Sequence, residues 1–207
     1  MLQLIESIKI CNGKIVNLER HQARVDRAFQ ELLPIADSIN IESAINQNCI
    51  IPSFGLFKCR IVYSTQPLSI ELEPYNHPII KRVGVVNLIK PIDYKHKYLN
   101  RDIFNKLRKE NPEFDDIIIA INGVVTDSTF CNIALFDGKK WVTPSTPLLE
   151  GTKREQLLDS KVIYSELVRV EQLNRFKKLT LFNAMNEFNT LTIEINNLEL
   201  IEHKEIE

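Results

Sequence analysis

Asp116-Ile117-Ile118-Ile119-Ala120-Ile121-Asn122-Gly123-Val124-Val125-Thr126 decides the fold class. Its first six residues are rich in β-branched apolar side chains and read as a buried strand. Asn122-Gly123 supplies the left-handed positions of a tight hairpin turn into Val124-Val125-Thr126. Downstream the pattern recurs: Asp137-Gly138 sets a hairpin between Ile133-Ala134-Leu135-Phe136 and Lys140-Trp141-Val142. A helix is expected at 152–159 and late strands at 179–182 and 191–194. Upstream, a helix at about 101–110 follows a polar, irregular stretch containing Pro91, Asp93 and Lys95. Strands are expected at 55–64, 68–75 and 82–89, and a short helix at 41–48. Leu18, Val25, Ala28, Phe29 and Leu32 share one face of a helix over 18–33, with Asn17 expected to cap it and Pro34 to end it. The chain opens on a hairpin, 2–10 against 14–17, turned by Asn12-Gly13. Many hairpins and few parallel crossovers predict an α+β chain of two domains, 1–90 and 98–207, joined by 91–97.

The bulk properties exclude several classes. Apolar residues make up 44% of the 207 and charged residues 26%, the balance of an ordinary globular protein rather than a disordered one. A net charge of −1 provides no basic field to hold nucleic acid. No apolar run reaches the length of a membrane span. Met1-Leu2-Gln3-Leu4-Ile5-Glu6 lacks the charged-then-apolar pattern of a secretory signal. Cys11, Cys49, Cys59 and Cys131 are scattered with no Cys-x-x-Cys pair, which argues against a zinc site and a disulfide framework. The expectation is a cytoplasmic protein that binds no metal, nucleic acid or membrane.

Five strings carry chemistry: His21-Gln22-Ala23-Arg24-Val25, Lys97-Tyr98-Leu99-Asn100-Arg101, Gly123 through Asn132, Thr143-Pro144, and Gly151-Thr152-Lys153-Arg154. A lysine alone reads as a solvated side chain, and a lone His-x-x-Arg pair as a solvated helix face. In this order and spacing, however, the strings resemble the fold-type IV pyridoxal 5′-phosphate (PLP) enzymes. This class IV aminotransferase family includes the branched-chain and D-amino-acid aminotransferases and 4-amino-4-deoxychorismate lyase. The resemblance runs from Glu6 to about Phe188. It implies a two-domain fold like that of D-amino-acid aminotransferase, PLP as cofactor, and a homodimer with its active site between the domains, close to the subunit interface.

The resemblance also implies roles. Lys97 is the Schiff-base lysine and general base. Asp127 faces the pyridine nitrogen, so that the ring acts as an electron sink; aspartate stands here where the family usually has glutamate. Asn132 supports that segment by hydrogen bonds. Arg24 grips the phosphate, joined by the backbone of Thr152 and Lys153 at a helix N-terminus, where free N–H groups and the helix dipole favour an anion. Asn183-Ala184-Met185 lies where aminotransferases carry Gly-Thr-Ala, placing Ala184 at the cofactor. That string and Lys97-x-Leu99-Asn100-Arg101 resemble the lyase, which eliminates pyruvate to leave 4-aminobenzoate for folate synthesis. Ser7 and Tyr98 are candidate acids, and Arg60, Arg101, Lys95 and Arg154 are candidate ligands of substrate carboxylates. The alternatives are transamination of a branched-chain or D-amino acid, and a degenerate relative that only binds a ligand. Ser64-Thr65-Gln66-Pro67-Leu68 replaces the arginine- and glycine-rich segment expected there, and the stretch before Glu6 is shorter than the family's usual first strand.

Overall fold

The computed structural model describes residues 2–201. It divides into two compact units, one running to His77 and including His96–Asn100, the other formed by Pro78–Lys95 and the chain from Arg101 onward.

The first unit is one antiparallel sheet with two helices. Strands β1 (Leu4–Cys11), β2 (Lys14–Ile15), β3 (Leu56–Tyr63) and β4 (Pro67–Pro74) lie in the order β2-β1-β3-β4. Asn12 and Gly13 both take positive φ, 47° and 78°, in the turn between β1 and β2. The period of two puts Leu4, Glu6, Ile8 and Ile10 on one face of β1, and all four are wholly buried. That face packs on helices α1 (Leu18–Leu32) and α2 (Ile41–Asn48) through Val25, Ala28, Phe29, Ile41 and Ile45. Asn17 starts α1 differently from the expectation. It adopts the left-handed conformation and makes no side-chain capping bond; its carbonyl instead accepts the first helical N–H groups, from Arg20 and His21.

The second unit contains two sheets around a shared core. One holds β5 (Val83–Leu88), β6 (Asp116–Ile121), β7 (Val124–Ser128) and β13 (Leu198–Ile201) in the order β13-β5-β6-β7. The other holds β8 (Asn132–Phe136), β9 (Trp141–Pro144), β10 (Ile163–Glu166), β11 (Lys178–Phe182) and β12 (Leu191–Glu194) in the order β10-β9-β8-β11-β12. Val83, Val85, Ile118 and Val125 of the first sheet pack with Ile133, Leu135, Val142, Leu179 and Leu181 of the second. Helices α3 (Asp102–Glu110) and α4 (Thr152–Asp159) complete the unit. Parallel pairing is more extensive than the hairpin count suggested, linking β5 with β6, β5 with β13 and β9 with β10.

The expected division into 1–90, 91–97 and 98–207 is displaced. Strand β5 pairs with β6 and β13, which draws it into the second unit. His96–Asn100 returns to the first unit because it pairs with β1 through the Leu4–Tyr98 bridge.

Candidate cofactor site

Lys97 belongs to the first unit and is held by its backbone. The Tyr98 N–H donates to the His96 carbonyl at 2.9 Å, closing a three-residue turn centred on Lys97. The Ile5 N–H donates to the Lys97 carbonyl and the Leu99 N–H to the Gln3 carbonyl, each at 2.9 Å. The lysine is thus fastened to β1 one residue before Glu6. Beneath α1, Glu6 is fully buried and accepts Arg24 Nε at 2.8 Å, Arg24 Nη2 at 2.5 Å and His21 Nδ1–H at 2.7 Å. Burial opposes ionisation of Glu6, but the Arg24 charge and the His21 hydrogen bond outweigh it and hold the carboxyl at about 2. Since an ionised carboxylate only accepts, the His21 proton sits on Nδ1. Burial keeps a second proton off His21, and the charges of Arg24 and Lys97 act in the same direction. Lys97 therefore lies within electrostatic reach of this cluster.

In the second unit, Asn132 is the hub. Asp127, at the end of β7, is buried; Asn132 Nδ2 donates to its Oδ1 at 2.8 Å and the Leu149 N–H to its Oδ2 at 3.0 Å. Asn132 Nδ2 also reaches the Leu149 carbonyl at 2.9 Å. Gly151, the N-cap of α4, is packed so closely on Asn132 that an added Cβ would lie 2.1 Å from Oδ1. Strand pairing sets Phe182 opposite Asn132, so the Asn183-Ala184-Met185-Asn186 turn begins beside it. The Asn183 carboxamide closes that turn on the N–H groups of Met185 and Asn186, and reaches the Phe130 carbonyl and Cys131 Sγ. Asp127, Leu149 and Gly151 thereby meet at the Asn132 side chain, with Thr152 following Gly151 in the chain and Ala184 lying two residues beyond Phe182. Burial pushes the Asp127 carboxyl up to about 6, against hydrogen bonds from the Leu149 N–H and Asn132 and the charge of Arg154.

The side chains of four other candidates are engaged within their own units. Lys153 holds Glu187 at 2.5 Å. Arg154 is buried, with Nη2 on the Pro144 carbonyl and no partner for Nε. Arg101 is engaged by Tyr94 and the Thr129 carbonyl. Arg60 stands 3.9 Å from Glu71 on the β3–β4 surface. Glu6 was missed as a site residue, although its place in the Leu4-Glu6-Ile8-Ile10 alternation marks it as facing the core. Gly151 carried a signal only as a helix opener, because nothing local discloses its contact with Asn132.

The donor set of each unit fits PLP. The first offers a lysine on a fixed backbone and a buried guanidinium. The second offers a buried carboxylate with acceptor capacity beyond its donors, since a carboxylate has about four lone-pair sites. It also offers the start of α4, whose N-cap residue, Gly151, has no side chain to cap the helix. Among the described residues, no group of three or more His, Cys, Asp or Glu side chains is placed to hold a metal, and no helix is long and apolar enough to cross a membrane.

The amino-transferase class IV profile matches residues 3–189. A protein of Haemophilus influenzae with no assigned function is 35% identical over 188 residues, 90% of this chain and 99% of its own. A provisionally assigned 4-amino-4-deoxychorismate lyase from Haemophilus somnus 129PT superposes with a TM-score of 0.84 at 30% identity, covering 90% of this chain and 97% of that one. The PLP-bound form of a hypothetical aminotransferase from Mycobacterium tuberculosis shares the fold, with a TM-score of 0.70 at 14% identity over 90% of this chain and 78% of its own. The chain belongs to the class IV aminotransferase family, whose members are pyridoxal 5′-phosphate enzymes.

Proposed function

We propose that this protein is a PLP-dependent 4-amino-4-deoxychorismate lyase that releases pyruvate and leaves 4-aminobenzoate. The observation that carries the lyase over an aminotransferase is the 30% identity to the Haemophilus somnus protein over nearly its whole length. A provisionally assigned aminodeoxychorismate lyase of Schizosaccharomyces pombe supports it, at 28% identity over 102 residues, 44% of each chain. Lys97-x-Leu99-Asn100-Arg101 and Asn183-Ala184-Met185 favour the same reading.

In this reading Lys97 would hold the cofactor through its side-chain amine and would serve as the general base for the proton on the amine-bearing carbon of the substrate. When bound, the cofactor supplies an electron sink for the charge that this proton loss creates. Asp127 would keep the ring nitrogen protonated, and Asn132 holds Asp127. Arg24 and the backbone N–H groups of Thr152 and Lys153 would bind the phosphate, and Ala184 would help to hold the ring. Glu6 keeps the Arg24 fork in one orientation. His21 stays neutral and structural. As in the family, we place the enzyme in the cytoplasm as a homodimer.

The test is a product assay on the PLP-loaded protein with aminodeoxychorismate, using Lys97→Ala as control. The expected result is 4-aminobenzoate and pyruvate in equal amounts, absent in the variant. A wild-type protein that binds PLP but yields neither would overturn the lyase reading. Amino-acid and oxoacid pairs would then test transamination, and failure of those would leave a ligand-binding relative.

A further inference from the structure

Arg101 closes the motif that separates the lyase-like from the aminotransferase-like sequences, yet the mechanism above gives it no task. Its guanidinium makes two hydrogen bonds, from Nη1 to Tyr94 Oη at 2.9 Å and from Nη2 to the Thr129 carbonyl. It also lies over two aromatic rings, 5.7 Å from the Tyr94 centroid and 4.9 Å from that of Phe104. Those rings pack edge to face at 4.7 Å and are buried. Tyr94 and Arg101 both belong to the second unit, whereas His96–Asn100, between them in the chain, belongs to the first. The segment that bears Lys97 is therefore an excursion whose two ends are joined by the Arg101–Tyr94 bond. The excursion has no regular secondary structure; the Leu4–Tyr98 bridge and the Ile5 and Leu99 bonds fasten its tip to β1, Tyr98 packs on the core of the first unit, and His96 Nε2 lies 3.3 Å from the Glu31 carboxylate. The tip is thus held by the first unit, whereas the base of this irregular segment is closed in the second by the Arg101–Tyr94 bond, and closing the ends of a segment without regular secondary structure lowers the conformational entropy left to it.

We propose that Arg101 is a positioning residue for Lys97, pinching the base of the 95–100 excursion so that the lysine at its tip keeps one orientation. This inference rests on the reading of Lys97 as the cofactor lysine. The guanidinium is suited to the task because its planar fork binds a hydroxyl and a carbonyl at once while stacking on a ring, which an ammonium cannot do.

The test compares wild type with Arg101→Met, Arg101→Lys and Tyr94→Phe. Tyr94→Phe keeps the ring and removes only the acceptor, so it reports even if Arg101→Met fails to fold. In the cofactor-free proteins, exchange of the Leu99 amide is expected to quicken roughly tenfold in Tyr94→Phe and Arg101→Lys, the factor that corresponds to one lost hydrogen bond. Protection of β6 and β8 amides stays at the wild-type level. In the PLP-loaded proteins, the pH midpoint of the visible band is expected to shift and kcat to fall more than KM rises. Borohydride reduction and peptide mapping place the cofactor mass on Lys97 in wild type, with a smaller labelled fraction in the variants. A wild type labelled at Lys97, with variants matching it in Leu99 exchange and band midpoint, overturns the positioning role alone. A wild type that is not labelled at Lys97 overturns the reading of the site and this inference with it.

Discussion

Replacing Asp127 with asparagine should change the stability of the cofactor-free protein by an amount that depends on pH. Burial raises this carboxyl from 3.8 to about 6. The native state therefore holds the proton more tightly than the unfolded chain does. Stability is highest below the unfolded value and falls as pH climbs from 3.8 through about 6, becoming flat above. About two pKa units at 1.36 kcal/mol each make a loss of about 3 kcal/mol across that window. Asparagine does not titrate and carries no such loss. It does turn an amide toward a donor, because both Asp127 oxygens accept hydrogen bonds, from Asn132 and from the Leu149 N–H. That mismatch costs about 1–3 kcal/mol at any pH. Asp127→Asn is thus expected to be clearly less stable than wild type at pH 4 and nearly equal to it at pH 8. Urea unfolding at half-unit pH steps measures both proteins, and subtracting the curves cancels groups common to the two, Glu6 included. A difference that stays constant to within about 0.5 kcal/mol, the usual limit of additivity, would refute the assignment of Asp127 as a destabilised buried carboxylate. Under the proposed function the same variant loses turnover at pH 8 while remaining folded, as expected of a group retained for activity at a cost in stability.

Three further outcomes follow from the same structure. Glu6→Gln leaves Arg24 buried without its counter-charge and should cost about 3–5 kcal/mol at pH 7. The Glu6 contribution is complete above its unfolded value of 4.5 and fades as pH falls toward about 2, so an equal cost in urea unfolding at pH 3 and pH 7 would contradict it. Gly151→Ala should lower the thermal midpoint through a clash with Asn132 Oδ1, at about 1–3 kcal/mol. Gly123→Ala meets nothing within 4 Å and acts only through its φ of 77°; a Gly151→Ala protein that melts with wild type and shows an unmoved Asn132 side-chain NMR signal would rule out the close contact. Asp116 is fully buried, with Oδ1 accepting from Thr129 and the Ile117 N–H and Oδ2 without a partner. Burial raises its pKa, so stability drains as pH rises past the unfolded value, and Asp116→Asn should be the more stable protein at pH 8; a destabilised variant there would count against an unpaired carboxylate.

What the sequence disclosed divides along the range of the signal. Helices α2 and α4 fall on the expected residues, and Asn122-Gly123 takes positive φ at both positions, because turn and helix signals lie within a few residues of one another. The pairing of β5 with β13 has no such signature. Val83 meets Leu198 through a parallel register that no intervening turn dictates, and this pairing, together with that to β6, places β5 outside the expected first domain. The site shows the same division. Lys97, Asp127 and Asn132 stand out in the sequence because their order resembles that of a family, whereas the groups they meet in the structure do not. Glu6 was half legible, since alternation along β1 aims it at the core but cannot say that Arg24 and His21 meet it there. Arg101 looked available to a substrate carboxylate, yet Tyr94 and Thr129 occupy it. Gly151 marks the limit: at φ −74° its backbone is open to any residue, so its own torsion gives no reason for glycine. The reason is the oxygen of Asn132, which occupies the space a Cβ would need. A requirement of that kind belongs to a contact between two strings, and a reading that takes each string on its own residues has no access to it.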